Sequence, residues 1–287
     1  MDRTLEAGDG LTLRGREWPS PEAKGTIVIV HGLGEHIGRH ASLAAFLNGL
    51  GWRVVAYDQR GHGRSGGGRG RLRRADDLLT DLATVLDAVR AEHPGPLVLL
   101  GHSMGGLAAA RFVAEALAPQ PASWSRPVDA LVLSSPAIDS GLSGAQRALL
   151  AVLHPLAPDL AVANGVRPEW VSRDAAVVAA YRADAQVHDR VTPRLVRFIV
   201  DGGPVVLERA ARWRVPTLLL YGGSDRTISP AGSAAFAAAA PADVVTTRAF
   251  APLVHEVFNE PEKAEVLAAL GGWLDTLAAA PKPGNPP

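Results

Sequence analysis

Three side chains far apart in this 287-residue sequence have the types that activate a serine: Ser103, Asp225 and His255. Ser103 stands in Gly101-His102-Ser103-Met104-Gly105, a G-x-S-x-G turn between the β-type run Leu97–Leu100 and a helical run from Gly105. The flanking glycines let strand and helix approach, and the turn lifts the hydroxyl above the sheet edge beside the helix N-terminus. A serine hydroxyl is a poor nucleophile at neutral pH and needs a base for its proton. His255 is the candidate base, and Asp225 the carboxylate that selects its tautomer and stabilises the imidazolium. Each follows a β-type run, and the chain order Ser, Asp, His suits a mostly parallel sheet with its site at the carboxyl edge. Singly, Asp225 could be a loop cap and His255 a surface histidine; order and context together favour the triad. Glu256 should point away from its neighbour and is left outside it.

Attack on a carbonyl creates an oxyanion that needs two N–H donors. The loop His31-Gly32-Leu33-Gly34-Glu35-His36 follows the run Thr26–Val30, so Leu33 N–H, with Met104 N–H after the nucleophile, is the expected pair. Metal ligation by His31, His36, His40 and Glu35 is a competing reading. Their spacing does not fit H-E-x-x-H, and no metal or cofactor is expected.

The elements that must hold these groups alternate. Thr4–Leu5 and Leu11–Trp18 read as strands joined at Gly8-Asp9-Gly10. Continuous apolar runs at Thr26–Val30, Arg53–Tyr57, Leu97–Leu100, Ala130–Leu133, Thr217–Tyr221 and Val244–Phe250 suit strands buried on both faces. Helical spacing marks Ala41–Leu50, Ala75–Glu92, Gly105–Leu117, Pro230–Ala240 and Pro261–Leu277. The expected fold class is therefore α/β, a mostly parallel central sheet with helices on both faces. Between Ile138 and about Val215 no strand is evident, so a helical cap inserted after the sixth strand is expected. The reading is one domain over 1–280 with its cap at about 138–215, and a disordered Pro-rich tail over 281–287.

Net charge is +0, with 29 basic and 29 acidic side chains, which argues against nucleic acid as a partner. The basic, glycine-rich stretch Arg60–Arg74 reads as a solvated loop, with anionic lipid headgroups a secondary option. Cysteine is absent, which excludes disulfides and thiolate chemistry. Met1–Glu6 shows no secretory pattern, and no run suits a membrane span, so a cytoplasmic location is expected. Leucines concentrate in the cap; Leu149 and Leu153 are expected to line a substrate channel, and peripheral membrane contact through the cap stays open. Oligomeric state is not legible.

His31–Arg39 (HGLGEHIGR), Tyr57–Gly66 (YDQRGHGRSG), Gly101–Gly106 (GHSMGG), the cap stretch Val171–His188 and His255–Glu262 (HEVFNEPE) together resemble the monoacylglycerol lipase and lysophospholipase-like branch of the α/β-hydrolases, among the serine aminopeptidase S33-type hydrolases. The resemblance covers nearly the whole chain. It implies the α/β-hydrolase fold, hydrolysis of monoacylglycerols or similar single-chain lipid esters through an acyl-enzyme, a cap that forms an acyl tunnel, and Glu35 and Arg39 near the leaving alcohol. Phe258 stands where animal members carry a second histidine, which points to a bacterial type. An aminopeptidase, amidase or general carboxylesterase is the alternative, with Asp174, Asp184 and Asp189 as candidate amine contacts. A non-catalytic lipid-binding module is the third reading; loss of a triad member would mark it, and all three residues are present.

Overall fold

The computed structural model describes residues 1–279; the tail read as disordered lies outside them. Eight strands form one sheet. In chain order they are β1 (Asp2–Glu6), β2 (Thr12–Trp18), β3 (Thr26–Val30), β4 (Arg53–Tyr57), β5 (Leu97–His102), β6 (Ala130–Ser134), β9 (Thr217–Gly222) and β10 (Val245–Phe250). Their spatial order is β1-β2-β4-β3-β5-β6-β9-β10. β1 and β2 run antiparallel to their neighbours; the pairs from β4 through to β10 are parallel.

The continuous apolar runs have two faces to bury. Ile27 and Ile29 pack with α1 (Ala41–Gly49) and α8 (Lys263–Ala279), while Val28 and Val30 pack with α2 (Asp77–Glu92) and α3 (Ser103–Glu115). A period of two along the central strands thus feeds two helical layers. β10 corrects the reading of Val244–Phe250 as buried on both faces, since it is an edge strand with Thr246, Thr247, Arg248 and Ala249 exposed. α7 (Pro230–Ala239) joins the α2–α3 side through Phe236, which meets Trp213 edge-on.

The expected cap divides. α4 (Gly144–Leu156), the two-residue strands β7 (Val162–Ala163) and β8 (Arg190–Val191), and α5 (Ala175–Ala183) lie over the carboxyl edge. The strand pair corrects the strand-free reading; two residues are too few to carry an alternating pattern. α6 (Pro193–Arg209) is only partly roof. Leu195, Phe198 and Val206 join the main core, and Gly202 and Gly203 let the helix lie against Leu107 and the Ile138 backbone.

The basic loop also differs from a solvated one. Arg60 is buried and pairs with Asp9, Asp77 and Asp81 at 2.6–3.1 Å. Arg73 and Arg74 reach the same carboxylates from outside. The run pins the β4–α2 connection to the N-terminal hairpin.

Candidate active site

The helix after β5 starts at Ser103, two residues before the sequence reading placed it. Ser103 has φ +55°, a left-handed conformation that costs a residue with a side chain about 1–3 kcal/mol. The turn holds because nothing but glycine fits around it. A Cβ on Gly101 would meet Gly105 O at 2.5 Å, and one on Gly105 would strike the Val30 and His31 carbonyls.

The structure brings Ser103, His255 and Asp225 together from the ends of β5, β10 and β9. His255 Nε2 lies 2.8 Å from Ser103 Oγ, and His255 Nδ1 lies 2.7 Å from Asp225 Oδ2. Asp225 Oδ1 accepts from Thr227 N (2.8 Å) and Ile228 N (3.2 Å), which leaves the other oxygen for the imidazole. Burial opposes charge on His255. The Asp225 carboxylate and its hydrogen bond, with Glu256 and Glu35 further off, outweigh it and hold the pKa above the ordinary value.

Leu33 and Met104, whose N–H groups are the expected oxyanion donors, both line the cavity at Ser103. The loop bearing Leu33 is held from behind. Glu35 is buried; its Oε1 accepts from Gly32 N and lies 3.2 Å from His40 Nε2, while Oε2 is 3.4 Å from Arg39 Nε. Burial favours the neutral acid, but His40, His102 and Arg39 together keep Glu35 well below the carboxylate range. Against the same burial penalty, Glu35 holds His40 above the ordinary histidine value. From the cap, His188 N donates to Gly34 O at 2.8 Å, and Gly34 takes φ +77°.

Two of the histidines weighed as metal ligands, His31 and His36, take other partners. His31 Nε2 accepts from Gln59 N (2.9 Å), so its Nδ1–H faces Gly32 O (2.8 Å). His36 Nδ1 accepts from Gly38 N, and its Nε2 lies 2.8 Å from Asp184 of the cap.

One cavity of about 420 Å³ opens onto Ser103. Its apolar wall includes Leu33, Val166, Trp170, Val191, Val196 and Ile199. Glu35, Glu256 and Tyr181 mark one polar end. Leu149 and Leu153, expected in the channel, do not line it. Leu149 is 56 % exposed on the cap's outer face; Leu142 and Gln146, nearer the α4 N-terminus, face the cavity instead. Helical spacing gave several leucines the same weight and could not say which side of α4 met the sheet.

Glu35 reaches the cavity, but Arg39 lies behind it, bridging Glu35 and Glu256 (2.6 Å) with its guanidinium 4.6 Å from the Tyr181 ring centroid. Glu256 does stay out of the triad, yet it belongs to the site through Arg39. That link spans 217 positions and had no local signal. Asp174, Asp184 and Asp189 do not line the cavity; they serve as the α5 cap, the His36 partner and an ion pair with Arg190.

A strained serine at a strand–helix turn, followed by an acid and a histidine on later strand ends of a mostly parallel sheet, defines a serine hydrolase of the α/β-hydrolase fold. The chain belongs to the serine aminopeptidase S33 family, whose model matches residues 21–262. It is 37% identical over 260 residues to a monoacylglycerol lipase of Mycolicibacterium smegmatis, covering 89% of this chain and 90% of that protein. It is 31% identical to a monoglyceride lipase of Mus musculus, over 99% and 93% of the two chains. The crystal structure of Paleococcus ferrophilus monoacylglycerol lipase superposes with a TM-score of 0.80 at 33% identity, over 92% of this chain and 99% of that one.

Proposed function

We propose that this protein hydrolyses monoacylglycerols and similar single-chain monoesters through an acyl-enzyme on Ser103. The observation that carries the reading is the continuous Ser103–His255–Asp225 hydrogen-bonded series, at 2.8 and 2.7 Å, opening into one mostly apolar cavity. Ser103 Oγ attacks the ester carbonyl as His255 Nε2 takes its proton. The oxyanion is held by Leu33 and Met104 N–H. His255 returns the proton to the leaving alcohol, and water repeats the cycle on the acyl-serine. Asp225 stabilises the imidazolium in both steps.

The polar end at Glu35, Glu256 and Tyr181 supports placing the alcohol there. The apolar wall suits one acyl chain, and residues 138–192 act as a cap on a single catalytic domain. Leu149, Val152, Leu156, Leu160 and Val162 are all exposed on that cap. Such a set is larger than scattered surface leucines and suits contact with a lipid surface. No helix among the described residues is long and apolar enough to cross a membrane, so the contact is peripheral. In this reading the cysteine-free enzyme works in the cytoplasm.

The test is a substrate panel on purified protein: monoacylglycerols of increasing chain length, p-nitrophenyl acetate, triacylglycerols and aminoacyl anilides. Each buried methylene adds about 0.8 kcal/mol, roughly fourfold in affinity, so medium-chain monoesters should lead in kcat/KM. Preference for acetate, for triacylglycerols or for the anilides would defeat the substrate class.

A further inference from the structure

The cavity has a second polar end that monoester hydrolysis does not use. Arg226, directly after Asp225, is the lone lysine or arginine among the described residues lining the cavity. It is exposed, and it enters no ion pair or hydrogen bond among the described residues, although the chain pairs most of its arginines. Beside it, Ser140 and Thr227 also line the cavity. Their hydroxyl oxygens are shielded from solvent and have no hydrogen-bond partner among the described residues. Buried hydroxyls are ordinarily satisfied, so two orphans beside one cavity leave hydrogen-bonding capacity that a turn about χ1 would bring to a ligand oxygen.

The surroundings hold this corner in place. Asp225 Oδ1 fixes the Thr227 and Ile228 N–H groups. Ser229 N donates to Asp139 O at 3.2 Å, and Asp139 Oδ1 accepts from Gly141 N at 3.0 Å, joining the β9–α7 loop to the segment before α4. The carboxylates at the other polar end are paired with Arg39 and His40, whereas Arg226 has no ion-pair partner among the described residues.

We propose that Arg226, Ser140 and Thr227 form a subsite for an anionic oxygen group, a phosphate or carboxylate, carried by the ester substrate away from its scissile bond. The guanidinium supplies the charge and a planar fork of donors, and the two hydroxyls, once turned toward the cavity, supply directed hydrogen bonds. The inference rests on ester hydrolysis at Ser103 and deepens it: among single-chain esters of equal length, those bearing such a group are favoured.

The experiment compares three dispersed substrates of matched chain length: a monoacylglycerol, the acylglycerol phosphate, and a monoester whose acyl chain ends in a carboxylate. The readout is each anionic substrate's kcat/KM divided by that of the neutral one. Arg226→Gln should lower this ratio about tenfold for at least one anionic substrate, the scale of one charge-assisted hydrogen bond at a partly exposed site. Arg226→Glu should lower it further, and 0.5 M salt should shrink the wild-type ratio by screening. Whichever substrate responds shows whether the charge sits on the alcohol or the acyl half. Arg248→Gln, which removes a charge from exposed β10, should leave the ratio where it was. Thr227→Val should reduce it by a smaller factor.

An unchanged ratio for both anionic substrates in Arg226→Gln overturns the subsite. A gain that appears only when neutral ester is presented in phosphatidylglycerol rather than phosphatidylcholine vesicles, and that Arg226→Gln removes, assigns the charge to surface attraction and also overturns it. Failure of the wild type to hydrolyse any of the three substrates would instead reject the ester-hydrolase reading.

Discussion

Replacing Glu35 by Gln tests whether this carboxylate supports the oxyanion loop as well as the fold. The substitution keeps an oxygen able to accept from Gly32 N but removes the charge facing His40 Nε2 at 3.2 Å and Arg39 Nε at 3.4 Å. Arg39 retains Glu256, whereas His40 loses its only directly paired carboxylate among the described residues. The stability loss should therefore be about 3 kcal/mol, the low end for unpairing a buried charge. Losing an oxyanion donor outright costs about 10²–10³ in kcat. Leu33 N–H survives the change but loses its fixed orientation, so a fall of about ten- to a hundredfold is expected. Urea unfolding and p-nitrophenyl butyrate turnover measure the two effects. Because the folded-state pKa of Glu35 lies well below the ordinary value, its stabilisation is present above the unfolded carboxylate pKa and disappears as pH falls through the folded one. Wild type and Glu35→Gln should therefore converge in stability at strongly acidic pH. Full kcat in a destabilised variant would show that the carboxylate supports the fold but not the oxyanion loop; full kcat with full stability would refute the network's role altogether.

Asp225→Asn should retain the fold and lose on the order of 10⁴ in kcat, the cost of the wrong histidine tautomer in the serine-protease template; stopped assays on folded variant check it, and near-wild-type turnover would send the role elsewhere. Because His255 is held above its ordinary pKa and must be neutral to act, activity should fall as pH drops through that raised value, which a pH profile of kcat/KM on a slow ester reads out; a flat profile from pH 5 to 8 contradicts it. Leu149→Asp combined with Leu156→Asp should weaken sedimentation with lipid vesicles and leave p-nitrophenyl butyrate turnover near wild type, since both side chains are exposed and Leu156 is 77 % accessible; equal loss of both would return them to the channel. Gly105→Ala should unfold the enzyme or leave it inactive, because the methyl group would collide with backbone at Val30 and His31 that cannot yield; a stable, active variant would contradict the packing of the turn.

Much of the site was legible because its chemistry is written locally. G-x-S-x-G between a strand and a helix, an aspartate after β9 and a histidine after β10 each carry their own context. The central strands were legible too, since a strand buried on both faces must be almost wholly apolar, as Ile27–Val30 is. What escaped depends on direction or distance. Leu149 and Leu142 differ only in which side of the cap faces Ser103. Arg39 and Glu256 meet across the whole chain, and Gly34 is gripped by His188 of the cap; neither pairing has a sequence period to betray it. Arg60 looked like a solvated charge because Asp77 and Asp81, four apart on α2, are its partners only after the N-terminal hairpin brings Asp9 to the same place.

Covalent labelling is the sharpest test of Ser103 as a nucleophile that opens into the cavity. Purified protein treated with a fluorophosphonate, digested and mapped by mass spectrometry should carry one adduct on the peptide containing Ser103. A medium-chain monoacylglycerol present during labelling should slow its appearance, and Ser103→Ala should abolish it. An adduct on another residue, or labelling that persists undiminished in Ser103→Ala, would show that Ser103 is not the nucleophile.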